Sequence, residues 1–323
     1  AAPIARLPLF SDMIVFMSYA MQVVMGFLLM GALFIVLPRT MVSAKRINQV
    51  LDLYSSIQNP AQVQLADENF QGQVEFKDVT FRYAANSEAV IEHVSFRAEA
   101  GQTVAFIGST GSGKSTLVNL IPRFYDVSAG EILVDGVNVQ DYDLNDLRNK
   151  VGYIPQKAVL FSGDVKDNLD FGHSQETPLS EQAMWRALEL AQSKNFIEDK
   201  EAGLASEVAQ GGTNFSGGQR QRLAIARALA RKPEILIFDD SFSALDYKTD
   251  RVLRQELAEK TKSMTKLIVA QRISTIMDAD LILVLDQGKV VGQGTHKELL
   301  ANNEVYQEIA YSQLSKEELE HGK

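Results

Sequence analysis

The first pattern along this chain is a run of apolar residues close to the N-terminus. Residues 13–38 form a stretch of 26 positions without a charged side chain. About 20 apolar residues in a helix are enough to cross the hydrocarbon core of a bilayer. The run therefore predicts one membrane-spanning helix. The alternative is a buried helix of a soluble core, and a cleaved signal peptide is disfavoured because its apolar segment is shorter.

Charged residues lie unequally on the two sides of the predicted span. Asp12 precedes it, and the basic residues that follow it are Arg39, Lys45 and Arg46. Basic residues near the ends of a span favour its cytoplasmic side, so the chain after about residue 45 is predicted to be cytoplasmic. Residues 46–71 are predicted to form a helical connector that ends near Asn59-Pro60, because helices usually stop before a proline.

After residue 72 the pattern changes to short β-rich runs and then to strand-like runs that alternate with helical segments. Several later runs are almost wholly apolar, as expected of parallel strands with both faces buried. The pattern predicts a layered α/β domain with an antiparallel β portion at its start. The strand-like runs cover residues 74–76, 80–83, 90–96, 103–107, 151–154, 235–238, 267–269 and 281–285.

Composition excludes several kinds of site. The chain has no cysteine, which rules out disulfides, thiolate metal sites and cysteine nucleophiles. Its formal net charge is −9, and no run of basic residues is longer than two. Nucleic-acid binding needs a concentrated basic surface, so no nucleic-acid partner is expected.

The clearest chemical motif occupies residues 108–116, which fit the pattern G-x-x-x-x-G-K-[ST]. It follows a strand-like run and precedes an apolar helix start at Leu117, which is the context of a phosphate-binding P-loop. In such a loop the backbone N–H groups converge on phosphates, Lys114 reaches the β- and γ-phosphates, and Ser115 binds Mg²⁺. The residues are Gly108, Ser109, Thr110, Gly111, Ser112, Gly113, Lys114, Ser115 and Thr116.

Two further segments carry candidate nucleotide-binding residues. Asp239 ends an apolar run and is predicted to be a second carboxylate on the metal side. Residues 215–222 contain the run Ser216, Gly217, Gly218 and Gln219, in which Ser216 is placed to cap the following helix. On these motifs the chain resembles the ATP-binding-cassette (ABC) family over residues 72–310, because that run is the family's signature.

The resemblance implies an α/β P-loop NTPase domain with a parallel-sheet core, an antiparallel β portion and a helical subdomain, which binds ATP and Mg²⁺. It implies that Tyr83 stacks on adenine and that Gln156 senses the γ-phosphate and Mg²⁺, with Ser115 and Asp239 as the other metal-side residues. Asp246 matches the loop that communicates across the family's dimer.

The span and connector are similar to the last transmembrane helix of exporters that fuse six such helices to one nucleotide-binding domain. Residues 1–45 are accordingly expected to end a truncated transmembrane domain, with residues 311–323 as a charged tail. The full-length protein would be a multi-pass protein of the cell membrane that exports a small or lipophilic substrate, whose identity the residues do not give. In the exporter loop at residues 206–212 the family usually has Gly-Glu where this chain has Ala209-Gln210, so altered coupling is expected.

Two catalytic positions depart from the family pattern. Asp240 stands where the family has the glutamate that orients the attacking water, and Gln271 stands where it has a histidine. Asp is shorter than Glu by one methylene, about 1.5 Å, and a misplacement of about 1 Å can lower a rate on the order of 100-fold. Glutamine can donate to a γ-phosphate but cannot carry positive charge.

These departures favour a heterodimer of two half-transporters, because family members dimerise head to tail and share each ATP. The site of Lys114, Asp239, Asp240 and Gln271 would be degenerate, whereas the intact signature would complete the competent site of the partner. One alternative is a homodimeric exporter with a slow Asp base. Another is a cassette ATPase without transport, acting in repair, translation or regulation.

Overall fold

The structure is a computed structural model that describes residues 7–66, 71–172 and 178–314. The chain divides into two compact units, Ala1–Ser56 and Ile57–Lys323. The tail residues 315–323 lie outside the described residues.

The first unit consists mainly of the helix α1, Leu7–Leu51, which is 45 residues long. Its most apolar 18-residue window has a mean hydropathy of 2.4, and no part of that window is buried. By length and composition it is the one helix in the described part of the chain that could cross a membrane. At 1.5 Å per residue it is about 65 Å long. The predicted span at residues 13–38 lies within it, and Pro38 lies inside the helix.

The connector differs from its prediction. The helix ends at Leu51, and residues 52–66 contain no helix, so the described part of the predicted connector is helical only at its start. Residues 67–70 of the predicted connector lie outside the described residues. The Asn59 side chain instead bonds to the start of a helix within the second unit: its Nδ2 donates to Asp143 Oδ2 at 2.6 Å, and its Oδ1 accepts from the Leu144 N–H at 2.8 Å. The Gln64 N–H donates to the Asp141 carbonyl oxygen. These polar groups tie an extended segment to the domain.

The second unit alternates strands and helices. Its strands are β1 (Val74–Phe81), β2 (Ile91–Ala98), β3 (Thr103–Gly108), β4 (Ala129–Val134), β5 (Val137–Asn138), β6 (Val151–Ile154), β7 (Gly163–Asp164), β8 (Glu207–Val208), β9 (Ile235–Asp239), β10 (Thr265–Val269), β11 (Leu281–Asp286) and β12 (Lys289–Gly294). Its helices are α2 (Lys114–Asn119), α3 (Leu144–Lys150), α4 (Val165–Asp170), α5 (Glu181–Leu190), α6 (Lys194–Glu198), α7 (Gly217–Ala230), α8 (Tyr247–Lys260), α9 (His296–Asn302) and α10 (Glu304–Gln313).

The central sheet has six strands in the order β12-β11-β3-β10-β9-β6. Its pairings are parallel except for the antiparallel pair of β11 and β12. A second, antiparallel sheet has four strands in the order β2-β1-β4-β5, and β7 pairs with β8. The predicted α/β P-loop fold with an antiparallel portion is thereby confirmed. The runs predicted at 74–76 and 80–83 are mostly one continuous strand, β1.

The central strands are apolar on both faces because each face covers a different core. In β9, Leu236 and Phe238 join the core shared with α5, α7 and α8. The alternate residues Ile235 and Ile237 join the core beneath the four-stranded sheet and α2. Successive side chains of a strand point to opposite faces, so a strand between two cores needs apolar residues at every position. This explains why all five residues of β9 are buried.

Candidate functional site

The candidate site lies at one edge of the central sheet. The strands β3, β10 and β9 are neighbours and run parallel. Their carboxyl ends are Gly108, Val269 and Asp239, so the segments that follow them come together at this edge. Ligands of open parallel sheets bind outside the carboxyl ends of the strands. The fold alone thus brings the residues after 108, 239 and 269 to one place.

The loop after β3 depends on two glycines with positive φ. Gly108 has φ 155°, and a Cβ there would overlap the Leu285 carbonyl oxygen. Gly113 has φ 94°, and a Cβ there would lie 2.7 Å from Ile91 Cδ1 and 2.8 Å from the Val90 oxygen. Only glycine fits without displacing these atoms. In contrast, Gly111 has φ 85° with nothing within 4 Å, and Ser109, Thr110 and Gly111 are exposed.

Lys114 starts α2 and folds back into this loop. Its Nζ donates to the Gly108 oxygen at 2.9 Å, to the Ser109 oxygen at 2.7 Å and to Ser112 Oγ at 3.2 Å. Burial lowers the pKa of Lys114, and attraction to Asp240 and Asp239 opposes that effect. The loop therefore contains a buried cation that two backbone carbonyl oxygens and one hydroxyl hold in place, and that two nearby carboxylates attract.

The pair Ser115 and Asp239 fits a divalent cation. Ser115 Oγ donates to Asp239 Oδ1 at 2.6 Å, and the other oxygen, Oδ2, accepts from the Tyr153 hydroxyl at 3.0 Å. Mg²⁺ is bound by a few protein oxygens together with substrate phosphates and water, and a P-loop hydroxyl with a strand-end Asp is such a set. The described residues contain no cluster of three or more His, Cys, Asp or Glu, so this pair is the part of the site that suits Mg²⁺.

Asp240 is the point at which both glutamines meet. Gln156 Nε2 and Gln271 Nε2 donate to the same oxygen, Asp240 Oδ2, at 2.9 and 2.6 Å. Asp240 is only 7% exposed and has φ 49°, a left-handed conformation that Asp tolerates better than most residues. Burial raises the pKa of its carboxyl group, and the Gln156 hydrogen bond opposes this. Gln156 thus reaches Asp240, while Ser115 reaches Asp239.

Tyr83 presents an exposed aromatic ring beside the loop. Its hydroxyl lies 2.9 Å from Thr116 Oγ1, and its ring is in edge contact with Phe81 and Tyr125. The residue is 54% exposed, so one face of the ring is free for a planar ligand.

The signature residues form a separate surface at the start of α7. Ser216 and Gln219 make a reciprocal capping box: Ser216 Oγ accepts from the Gln219 N–H, and Gln219 Oε1 accepts from the Ser216 N–H. Gly217 is exposed, and a Cβ there would meet nothing within 4 Å. No hydrogen bond described for this chain joins these residues to the loop at 108–116. The start of this helix is therefore an exposed surface, with Ser216 and Gly217 open to solvent.

Asp246 caps the next helix, α8, by accepting from the Thr249 N–H at 3.0 Å. This backbone hydrogen bond lowers the pKa of the Asp246 carboxyl group. Its local role is thus that of a helix cap, and its predicted role across a dimer stays a prediction.

Sequence reasoning missed two features of the site. It did not identify Tyr153 as a partner of Asp239, and it did not foresee that Gln156 and Gln271 share one oxygen of Asp240. No sequence signal indicated Tyr153, because its place beside Asp239 follows from the register of β6 and β9, in which Tyr153 pairs with Ile237, two residues before Asp239.

Comparisons with known proteins agree with this geometry. The family profile described as ABC transporter matches residues 91–243. An uncharacterized ABC transporter ATP-binding protein of Mycobacterium tuberculosis is 46% identical over 302 residues, which cover 94% of this chain and 52% of that protein. The ATP-dependent lipid A-core flippase of Pseudomonas aeruginosa is 45% identical over 239 residues, which cover 74% of this chain and 39% of that protein.

A solved structure is similar as well. A bacterial Atm1-family ABC exporter with ATP bound has a TM-score of 0.79 and 32% sequence identity, over 86% of this chain and 48% of that chain. This chain spans about half the length of the first curated relatives that it matches. The chain is therefore similar to ABC transporters and, among solved structures, to an exporter of that family.

Proposed function

We propose that this chain is the ATP-binding part of a half-transporter in an ABC exporter. The full-length protein is a multi-pass protein of the cell membrane with residues 72–310 in the cytoplasm. It binds ATP with Mg²⁺ and couples ATP hydrolysis to the export of a small or lipophilic substrate. The apolar helix α1 and the similarity to exporters support the membrane location.

The residues at the sheet edge offer contacts for the phosphates and the adenine of ATP. Backbone N–H groups of the loop and Lys114 neutralise the phosphates, and the exposed ring of Tyr83 offers a face for adenine. Ser115 and Asp239 would hold Mg²⁺, which supplies charge neutralisation at the phosphates. Gln156 lies next to this pair through its contact with Asp240.

We propose further that this site hydrolyses ATP slowly, and one observation carries the idea. Asp240 Oδ2 already accepts two amide donors, from Gln156 and Gln271. A general base must reach the attacking water with a free lone pair in the right place. The Asp240 side chain is short, buried and held back by both glutamines, so it is a poor base. Gln271 cannot supply the positive charge that a protonated histidine would.

The outward-facing signature supports a second role. Family members dimerise head to tail, and we propose that Ser216, Gly217, Gly218 and Gln219 bind the ATP held by a partner half-transporter. Ser216 and Gly217 at the start of α7 are exposed, and the positive end of the helix suits a triphosphate. Asp246 would contribute to communication across the interface. The chain then contributes to hydrolysis at the partner's site more than at its own.

The test measures ATP hydrolysis by the full-length complex in which the partner's catalytic carboxylate has been neutralised. The remaining rate then comes from the site of this chain. We expect this rate to be close to background and to rise by at least about tenfold in the double variant Asp240→Glu, Gln271→His, because the base regains its reach. The matched control is Asp240→Asn with Gln271→His, which has the histidine without a base and should stay at background.

Two results would contradict these proposals. If the full-length chain alone hydrolyses ATP as fast as its double variant, the site is not degenerate. If native mass spectrometry finds only pairs of identical chains, which hydrolyse ATP slowly, the homodimeric alternative is correct. A protein that binds ATP but stays in the soluble fraction would favour a cassette ATPase without transport.

A further inference from the structure

The strand register places one aromatic residue beside the metal-side carboxylate. In the parallel pair of β6 and β9, Tyr153 lies opposite Ile237. Asp239 is two residues further along β9 and therefore points to the same face of the sheet as Ile237. The register thus puts Tyr153 and Asp239 on neighbouring strands, and the Tyr153 hydroxyl reaches Asp239 Oδ2 at 3.0 Å.

The two oxygens of Asp239 are held from opposite sides. Oδ1 accepts from Ser115 at 2.6 Å, and Oδ2 accepts from the Tyr153 hydroxyl at 3.0 Å. A carboxylate with a donor on each oxygen cannot rotate freely about its last side-chain bond. Asp239 is 7% exposed, so water has little access to replace either donor.

The Tyr153 ring is itself held in place. Phe124 meets it edge to face, with ring centroids 5.6 Å apart, and the Arg148 guanidinium lies 5.8 Å from the centroid of the Phe124 ring. These ring contacts fix the place of the hydroxyl that donates to Asp239 Oδ2.

Packing does not explain the hydroxyl. A phenylalanine at position 153 would keep the ring contact with Phe124, and it would avoid burying a polar group, which is unfavourable unless that group is bonded. The ring accounts for the packing, and the hydroxyl is the group that contacts Asp239. We propose that Tyr153 is a positioning residue for Mg²⁺: it orients Asp239 so that the other oxygen is presented, together with Ser115, to the metal of bound ATP. This inference rests on the proposed ATP binding.

A well-oriented metal ligand suits a site that hydrolyses ATP slowly. The groups that act on water are weakened at Asp240 and Gln271, whereas the metal-side carboxylate has an additional hydrogen-bond donor. Partners that orient a metal ligand typically change metal affinity by about 10- to 100-fold when they are removed. A site of this kind favours retention of Mg²⁺–ATP over its hydrolysis.

The experiment measures ATP affinity of the purified full-length protein twice, in EDTA and in saturating Mg²⁺. The ratio of the two dissociation constants is the gain in affinity due to the metal. We expect Tyr153→Phe to bind ATP normally in EDTA. The ratio of its two dissociation constants should be about tenfold smaller than that of the unsubstituted protein. The control Tyr142→Phe also removes a buried hydroxyl, one that donates to the Val134 oxygen at 2.8 Å in the antiparallel part of the domain, and it should keep the full gain.

A second variant keeps the test independent of the first. Phe124→Leu removes the ring that supports Tyr153 but leaves the hydroxyl, and a partial loss of the metal gain is expected. An unchanged gain in Tyr153→Phe overturns the proposal, and so does an equal loss of affinity in EDTA, because the hydroxyl would then support the whole loop. Failure of the unsubstituted protein to bind ATP in either medium would instead contradict the proposed function.

Discussion

Gly108 and Gly111 belong to the same loop and both have positive φ, but their surroundings differ. A Cβ on Gly108 would overlap the Leu285 carbonyl oxygen, which belongs to the neighbouring strand and cannot move away without breaking the sheet. A Cβ on Gly111 would meet nothing within 4 Å. The first glycine is therefore required by packing as well as by conformation, and the second by conformation alone.

This difference gives a paired prediction for stability. Gly108→Ala should lower the free energy of unfolding of residues 57–323 by on the order of 4 kcal/mol or more, because a backbone atom must be displaced. Gly111→Ala should lower it by about 1–2 kcal/mol, the cost of a left-handed conformation in a residue with a Cβ. Urea unfolding in EDTA, followed by the fluorescence of the single tryptophan, Trp185, measures both values. Equal losses would show that the Leu285 contact is unimportant.

The site contains two kinds of contact: those within one short segment and those between residues far apart in the sequence. The loop at 108–116 and the signature are local, so identity and spacing were enough to find them. The contacts of Tyr153 and Gln156 with Asp239 and Asp240 join residues more than 80 positions apart. They depend on the order and register of strands, which the pattern of apolar residues does not specify. The sequence therefore predicts which residues belong to the site more completely than it predicts which of them touch.

At the scale of elements, α7 combines a stability role with an outward surface. Its N-terminus is closed by the reciprocal bonds of Ser216 and Gln219. The buried side of the helix packs against α5 and α4, with Leu223 and Ile225 among its core residues. A substitution at position 216 can therefore affect the helix cap, the exposed surface or both. Comparing different side chains at this position distinguishes the effect on the cap from the effect on the surface.

Ser216→Asp should preserve the cap but disturb the surface. Aspartate caps helices as well as serine does, so the stability of residues 57–323 should change by less than about 0.5 kcal/mol. In the assembled exporter a carboxylate here would face the partner's triphosphate, and ATP hydrolysis should fall at least about tenfold through charge repulsion. Ser216→Ala gives the reverse pattern, with about 1 kcal/mol of lost stability and a smaller loss of activity. Full activity in Ser216→Asp would place the signature away from any nucleotide.

Strands were predicted correctly where both of their faces are buried. The parallel strands of the central sheet, β3, β6, β9, β10 and β11, are largely apolar on both faces and were found. The strands β4 and β12 were missed because exposed positions interrupt their apolar pattern. The connector was predicted as helix up to Asn59-Pro60, but Asn59 caps α3 from a distance in sequence that no local rule could reveal.

At the scale of the whole molecule, α1 differs from every helix of the second unit because its apolar side chains are exposed along its length. In water such a surface is unfavourable by about 25 cal/mol for each Å². Lipid removes that cost, and an uncharged run of this length matches the hydrocarbon thickness of a bilayer.

We therefore expect the chain of 323 residues to remain in membranes after carbonate extraction, and residues 57–323 to be recovered in the soluble fraction. Two arginines in the middle of the run, Val24→Arg with Leu28→Arg, should release the longer chain, since each costs about 2.5–3.5 kcal/mol at the centre of a span. Sedimentation with an immunoblot measures the outcome. Release of the unsubstituted chain by carbonate would remove the membrane assignment.

The last helix of the described chain has a practical consequence for how this protein is handled. Gln313, in α10, donates to the Gln271 carbonyl oxygen at 2.8 Å and accepts from the Ile273 N–H at 2.8 Å. The boundary predicted after residue 310 would cut this helix and free the loop on which Gln271 stands. An expression design that stops at 310 would thus alter nucleotide handling without touching a motif.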